Sequence, residues 1–192
     1  ETGYLRNQQT GSSGLPGNYK IGAYYHDGDY DDFYRDNFGH SHTLSGNAPQ
    51  THRGNWGFYI LLDQMMYREG GPQSDQGLTP FVSLLFAPDK KINQMPFFVN
   101  GGLVYKGPIP GRDRDVAAFG AIYGGFSDDL QRYQEDAHLG VQRYELVLEL
   151  NYNMEIFNWL HVMPDIQYIV NPGGTGEIAD ALVLGFQLAL YL

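Results

Sequence analysis

The chain has 192 residues, with 12 Lys and Arg against 22 Asp and Glu, a net charge of −10 and no cysteine. That acidity excludes a basic nucleic-acid footprint, and no apolar run approaches the ~20 residues that a membrane-crossing helix needs. Fifteen Tyr, 11 Phe and 25 Gly beside only 18% charged residues suit aromatic-rich strands and tight turns; a mean hydropathy of −0.38 still admits a barrel whose strands are apolar on one face alone.

The first stretch, ETGYLRNQQTGSSGLPGNYK, lacks an initiator Met and the basic and apolar regions of a secretion signal, so the expectation is a start within a longer protein. Strands are predicted over 19–26, 54–67, 78–87, 97–106 and 114–126, with weaker alternation in the two Gly/Ala-rich segments and Pro80 inside the third. Between the first two, HDGDYDDFYRDNFGHSH (26–42) reads as part of a long acidic loop, 27–53. Its Asp27, Asp29, Asp31, Asp32 and Asp36 are oxygen donors of the kind Ca²⁺ takes, but counted from Asp27 the sixth and twelfth places hold Asp32 and Phe38 rather than the Gly and Glu of an EF-hand. A solvated acidic loop is the simpler reading. His40 and His42 lack a neighbouring third metal ligand.

The last three predicted strands are long: 141–155, 158–170 and 181–192. In VQRYELVLELNYNME one parity holds Tyr144, Leu146, Leu148, Leu150, Tyr152 and Met154, and the other holds Arg143, Glu145, Val147, Glu149, Asn151 and Asn153. In ALVLGFQLALYL, Leu182, Leu184, Phe186, Leu188, Leu190 and Leu192 share a face. Globular strands average about 5–6 residues, whereas a tilted membrane strand needs about 9–11, so this length favours a bilayer. Eight strands result, without a repeat or linker, which predicts one domain over 1–192. Short turns at 107–112 and after Glu155 alternate imperfectly with long connections at 27–53, 127–140 and 171–180, since 68–77 is of middling length and 88–96 is shorter than its side predicts; with the C-terminus in the periplasm, the long ones fall outside.

Asp63, Arg143, Glu145, Glu149, Asp165 and Gln167 sit on the polar parity of strands that are otherwise apolar. In a soluble sandwich they would simply face water. In a barrel they would line a wet lumen and exchange hydrogen bonds with sugar hydroxyls, with Trp159 or Tyr123 stacking on a sugar ring. The acids would then disfavour anions. No G-x-S-x-G, P-loop or H-E-x-x-H occurs, so nothing points to an enzyme.

GFYILLDQMMYRE (57–69), PFFVNGGLVYKGPIPGRDRDVAAFG (96–120), RYELVLELNY (143–152) and PDIQYIVNPGG (164–174) resemble, in order, the C-terminal half of the carbohydrate-selective porin (OprB) family. Trp159, Pro164, Asp165, Gln167, Tyr168, Ile169, Asn171 and Pro172 form the most specific part. The resemblance implies a transmembrane antiparallel outer-membrane β-barrel of a Gram-negative bacterium, with these strands as half of a 16-stranded wall. It implies passive diffusion of glucose and other small sugars without a cofactor. The surroundings would be outer-membrane lipid and lipopolysaccharide, and the partners the missing N-terminal half of the barrel or further copies in a homo-oligomer. The chain ends in Leu192 where such barrels commonly end in Phe, with Tyr191 one step earlier. The rival is a closed eight-stranded barrel, a scaffold, adhesin or enzyme, whose interior is filled by side chains.

Overall fold

The computed structural model describes residues 1–9 and 12–191, so the terminal Leu192 lies outside it. Among the described residues the chain forms ten strands: β1 (Thr2–Arg6), β2 (Gly17–Asp36), β3 (Pro49–Gln64), β4 (Tyr67–Arg68), β5 (Gly77–Phe86), β6 (Phe97–Lys106), β7 (Val116–Gly125), β8 (Tyr144–Phe157), β9 (Leu160–Val170) and β10 (Ala181–Leu190). They make one antiparallel meander in the order β1-β2-β3-β5-β6-β7-β8-β9-β10, while β4 pairs with the start of β5. β1 and β10 are its two edges.

Eight strands were expected, and the two extra ones are short. Five residues in β1 and two in β4 give too few side chains to show a period. The larger correction concerns the acidic segment. Residues 27–36 continue β2 instead of looping, and Asp29, Tyr30 and Asp31 pair with Arg53, His52 and Thr51 after a bulge beyond His26. Both faces of this extension are polar, so hydrophobic alternation could not reveal it. The predicted loop 127–140 contains the helix α2 (Asp128–Asp136). Ser127 starts it by accepting the N–H groups of Asp129 and Leu130, and Asp128 and Asp129 suit the positive end of the helix dipole. A one-turn helix, α1 (His42–Ser45), closes the tip of the β2–β3 hairpin.

Pro80 shows how an internal strand tolerates a residue without an N–H. The β3–β5 ladder stops at Asp63↔Phe81, and β4 resumes at Tyr67↔Leu78, so Pro80 falls in the gap between them.

The sheet has no ordinary hydrophobic core. In β10, Leu182, Leu184, Phe186, Leu188 and Leu190 are 57–75% exposed, whereas among the described residues the buried hydrophobic side chains are Met65, Ala87, Ile92, Phe126 and Leu130. Apolar side chains thus cover one face continuously. Leu148 lies opposite Tyr168 and Ala121, and Leu150 opposite Ile166 and Phe119. Exposed apolar area on this scale needs a non-aqueous partner.

The connections fall at two ends. Residues 65–76, 107–115 and 158–159 lie at the C-terminal end, and 37–48, 87–96, 126–143 and 171–180 at the other. At that second end α2 reaches back to β2, four strand intervals or about 19 Å away along the sheet. The Tyr133 ring stacks on His42 with centroids 5.3 Å apart, and the Arg132 guanidinium lies 5.9 Å from the Tyr34 ring centre. The 87–96 connection is pinned beneath it: the Ser127 N–H donates to the Gln94 carbonyl at 2.9 Å, the Ser127 hydroxyl donates to the Lys90 carbonyl, and the Phe33 N–H donates to the Lys91 carbonyl at 2.8 Å. Ile92, Phe126 and Leu130 are buried in this packed cap.

Candidate functional site

Because directly paired residues of an antiparallel sheet project to the same side, the register defines the second face. One row runs across eight strands, Asn18–Asp63–Phe81–Gly102–Gly120–Glu149–Gln167–Val183. Three residues expected on a pore wall, Asp63, Glu149 and Gln167, stand in it. Beside it lie Ala118, Asn151, Asp165 and Gly185, again cross-strand partners.

Hydrogen bonds hold the acidic groups to the wall. The Gln167 amide donates to Glu149 at 3.2 Å and the Asn151 amide donates to its other oxygen at 2.8 Å. The Asp165 carboxylate lies over Gly185, where a Cβ would collide with it. Glu145 accepts the Gly173 N–H at 2.6 Å, which ties the upper end of β8 to the β9–β10 connection. Between Phe81 and Glu149 the wall sinks into a hollow of about 180 Å³, bordered also by Asn100, Ala118, Gly120, Ile122 and Asn151.

Arg143 and Trp159 are placed differently. Arg143 precedes β8, its backbone held by the Phe126 N–H and the Gly174 carbonyl, so it sits at the rim near the cap. Trp159 is in the turn between β8 and β9, stacked on Phe157 with centroids 5.3 Å apart and planes 10° apart. Tyr123 lies on the apolar face, opposite Leu146 and stacked on Tyr144, so it cannot stack on a solute at the polar face. Phe81 escaped the sequence reading because both parities of β5 are largely apolar, Phe81 and Leu85 against Val82, Leu84 and Phe86. Its pairing to Asp63 and Gly102 assigns its side.

The acids beyond the bulge serve the cap. Asp36 accepts from the Asn47 amide, the Ser45 hydroxyl and the Phe38 and His40 N–H groups. The Asn47 hydrogen bond, with the others and against the effect of burial, holds its carboxyl far below the usual range. Burial pushes Asp32 up, but the Arg35 and Tyr34 N–H groups and His52 outweigh it and keep it low. His42 donates from Nε2 to the Phe33 carbonyl at 3.1 Å. Among the described residues, no three His, Asp or Glu side chains converge on a metal position.

Known proteins are similar to this chain in sequence and fold. A family model described as carbohydrate-selective porin, OprB family, matches residues 2–190. The chain belongs to the OprB porin family. It is 31% identical to Porin B of Pseudomonas aeruginosa over 94% of its own length and 42% of that protein. The high-pH structure of Pseudomonas putida OprB superposes with a TM-score of 0.90 at 31% identity, over 98% of this chain and 46% of that one. The OprB-family chain described here therefore spans less than half the length of these relatives, and its meander is a fold it shares with the Pseudomonas putida structure.

Proposed function

We propose that the sheet is part of the wall of an outer-membrane pore that passes glucose and other small sugars by diffusion, without catalysis or a cofactor. The observation that carries this reading is the two-faced wall: apolar side chains face outward along β5–β10, while Asp63, Glu149, Asp165 and Gln167 share the opposite face in fixed register. Lipid suits the first face and water the second. A wet channel lowers the barrier for a polyol that cannot cross hydrocarbon, and groups that match hydroxyls bias which solute enters.

The open edges β1 and β10, together with the share of the relatives that is covered, support closure by further strands into a 16-stranded barrel. A filled eight-stranded barrel would have to pair β1 with β10. The whole of 1–192 then belongs to one barrel domain in the outer membrane of a Gram-negative bacterium, with the cap outward and the short turns in the periplasm. Glu145 and Arg143 guard the cap-side mouth, and Trp159 with Phe157 forms an aromatic contact at the opposite rim. The test is solute-driven swelling of liposomes carrying the full native chain. Faster entry of glucose than of an amino acid of similar size supports a sugar-favouring pore; entry of neither contradicts it.

A further inference from the structure

The central row of the wall changes character at its middle. From Phe81 on β5 to Glu149 on β8 is three strand intervals, about 14 Å, and the two positions between them are Gly102 and Gly120. These glycines differ. A Cβ on Gly102 would collide with the Phe119 carbonyl oxygen and lie 2.9 Å from the Phe81 ring, so close packing of backbone and ring demands glycine there. A Cβ on Gly120 would meet nothing nearer than 3.9 Å, and its φ is not positive. Gly185, in the adjoining row of the same face, would collide with Asp165 as Gly102 does with its neighbours. Glycine weakens a strand, and the fold gives Gly120 no steric reason to be one.

What the missing side chain leaves is the hollow of about 180 Å³, room for about six waters at ~30 Å³ each. That is the scale of a single small ring. Its border is mixed in the way a sugar requires: Phe81 on β5 and Asn100 on the neighbouring β6 at one side, and Glu149 and Asn151 on β8 at the other. Glu149 uses two acceptor positions on Gln167 and Asn151, and a carboxylate offers about four. Two remain for hydroxyl donors.

We propose that this hollow seats one neutral pyranose ring, with an apolar face of the sugar against Phe81 and hydroxyls on Glu149, Asn100 and Asn151, and that Gly120 is kept small to hold it open. The seat rests on the pore reading above. Because Glu149 stays available as an acceptor, the ring it takes is uncharged, and acidic sugars are disfavoured.

The test uses the full native chain in planar bilayers, measuring how glucose reduces the ion current and the concentration that gives half of the effect. Phe81→Leu removes the ring face and Gly120→Val fills the floor; each is expected to raise that concentration about three- to tenfold, the size of a lost aromatic contact. If either variant is not recovered as a conducting channel, Asn100→Ala takes its place with the same expected direction. Glucuronate, which keeps the pyranose ring and adds a carboxylate, should be a weaker blocker than glucose. Conducting variants with unchanged half-saturation, or glucuronate blocking as well as glucose, would overturn the seat and leave the pore reading standing. No ion current from the native chain would overturn both.

Discussion

The Tyr152 hydroxyl donates at 2.8 Å to Asp115, a carboxylate only 2% exposed at the foot of the β6–β7 connection. Arg112 pairs with the same carboxylate, and the Glu155 N–H donates to it at 3.0 Å. One buried acid thus fastens the turn 107–115 to β8.

This fastening is pH-dependent in a defined direction. Burial pushes the Asp115 carboxyl up, but Arg112, Tyr152 and the Glu155 N–H outweigh it and hold it below the ordinary range. A group depressed in the folded state contributes its stability above the unfolded value of about 3.9 and loses it as pH falls through the folded value. Hydrogen exchange of residues 107–115 should accelerate below about pH 4, relative to its intrinsic rate. Asp115→Asn should remove that dependence and cost about 1–3 kcal/mol at neutral pH.

The assignment of faces makes a paired prediction on adjacent residues of β8. Leu148 points with Tyr168 and Ala121 to the apolar side, and Val147 with Ile169 and Ile122 to the polar side. In lipid, Leu148→Lys should cost about 2–4 kcal/mol if it lies near the midplane. Val147→Lys should cost clearly less. Unfolding in urea from lipid vesicles compares the two directly.

Ser127 joins α2 to the connection beneath it. Ser127→Ala removes the cap hydrogen bonds of α2 and the bond to the Lys90 carbonyl, a loss of about 1 kcal/mol from the cap alone. The expected result is faster proteolysis within 126–143, with no change in the protection of β5–β7.

The acids of the polar face should make the pore prefer cations. Under a potassium chloride gradient, the reversal potential should report higher permeability for potassium than for chloride, and Glu145→Gln with Glu149→Gln should move it toward zero. Equal permeabilities in the native protein would count against the lumen assignment of these groups.

Much of the sheet is legible in sequence because its two faces differ in polarity, and that difference imposes alternation. Glu149 and Gln167 stand out as polar residues between Leu148, Leu150, Ile166 and Tyr168, and the register places them side by side. Where both faces have the same polarity, the signal vanishes. The acidic extension of β2 looked like a loop because neither of its faces is apolar, and Phe81 could not be assigned to a face because both faces of β5 are largely apolar. The hollow was hidden for a related reason: Gly102 and Gly120 have the same letter, and only the contacts around each absent Cβ separate a glycine the backbone requires from one that leaves space. The helix α2 carried its start signal in Ser127, Asp128 and Asp129, but its nine residues are too few to dominate a connection.

The central claim is that one face of this sheet meets lipid and the other water. These 192 residues contain no cysteine, so single cysteines replacing residues 145 to 151 of β8 can be labelled one at a time in reconstituted vesicles with a water-soluble thiol reagent. The account predicts alternation: labelling at 145, 147, 149 and 151, and protection at 146, 148 and 150. Equal labelling of the two sets would contradict it.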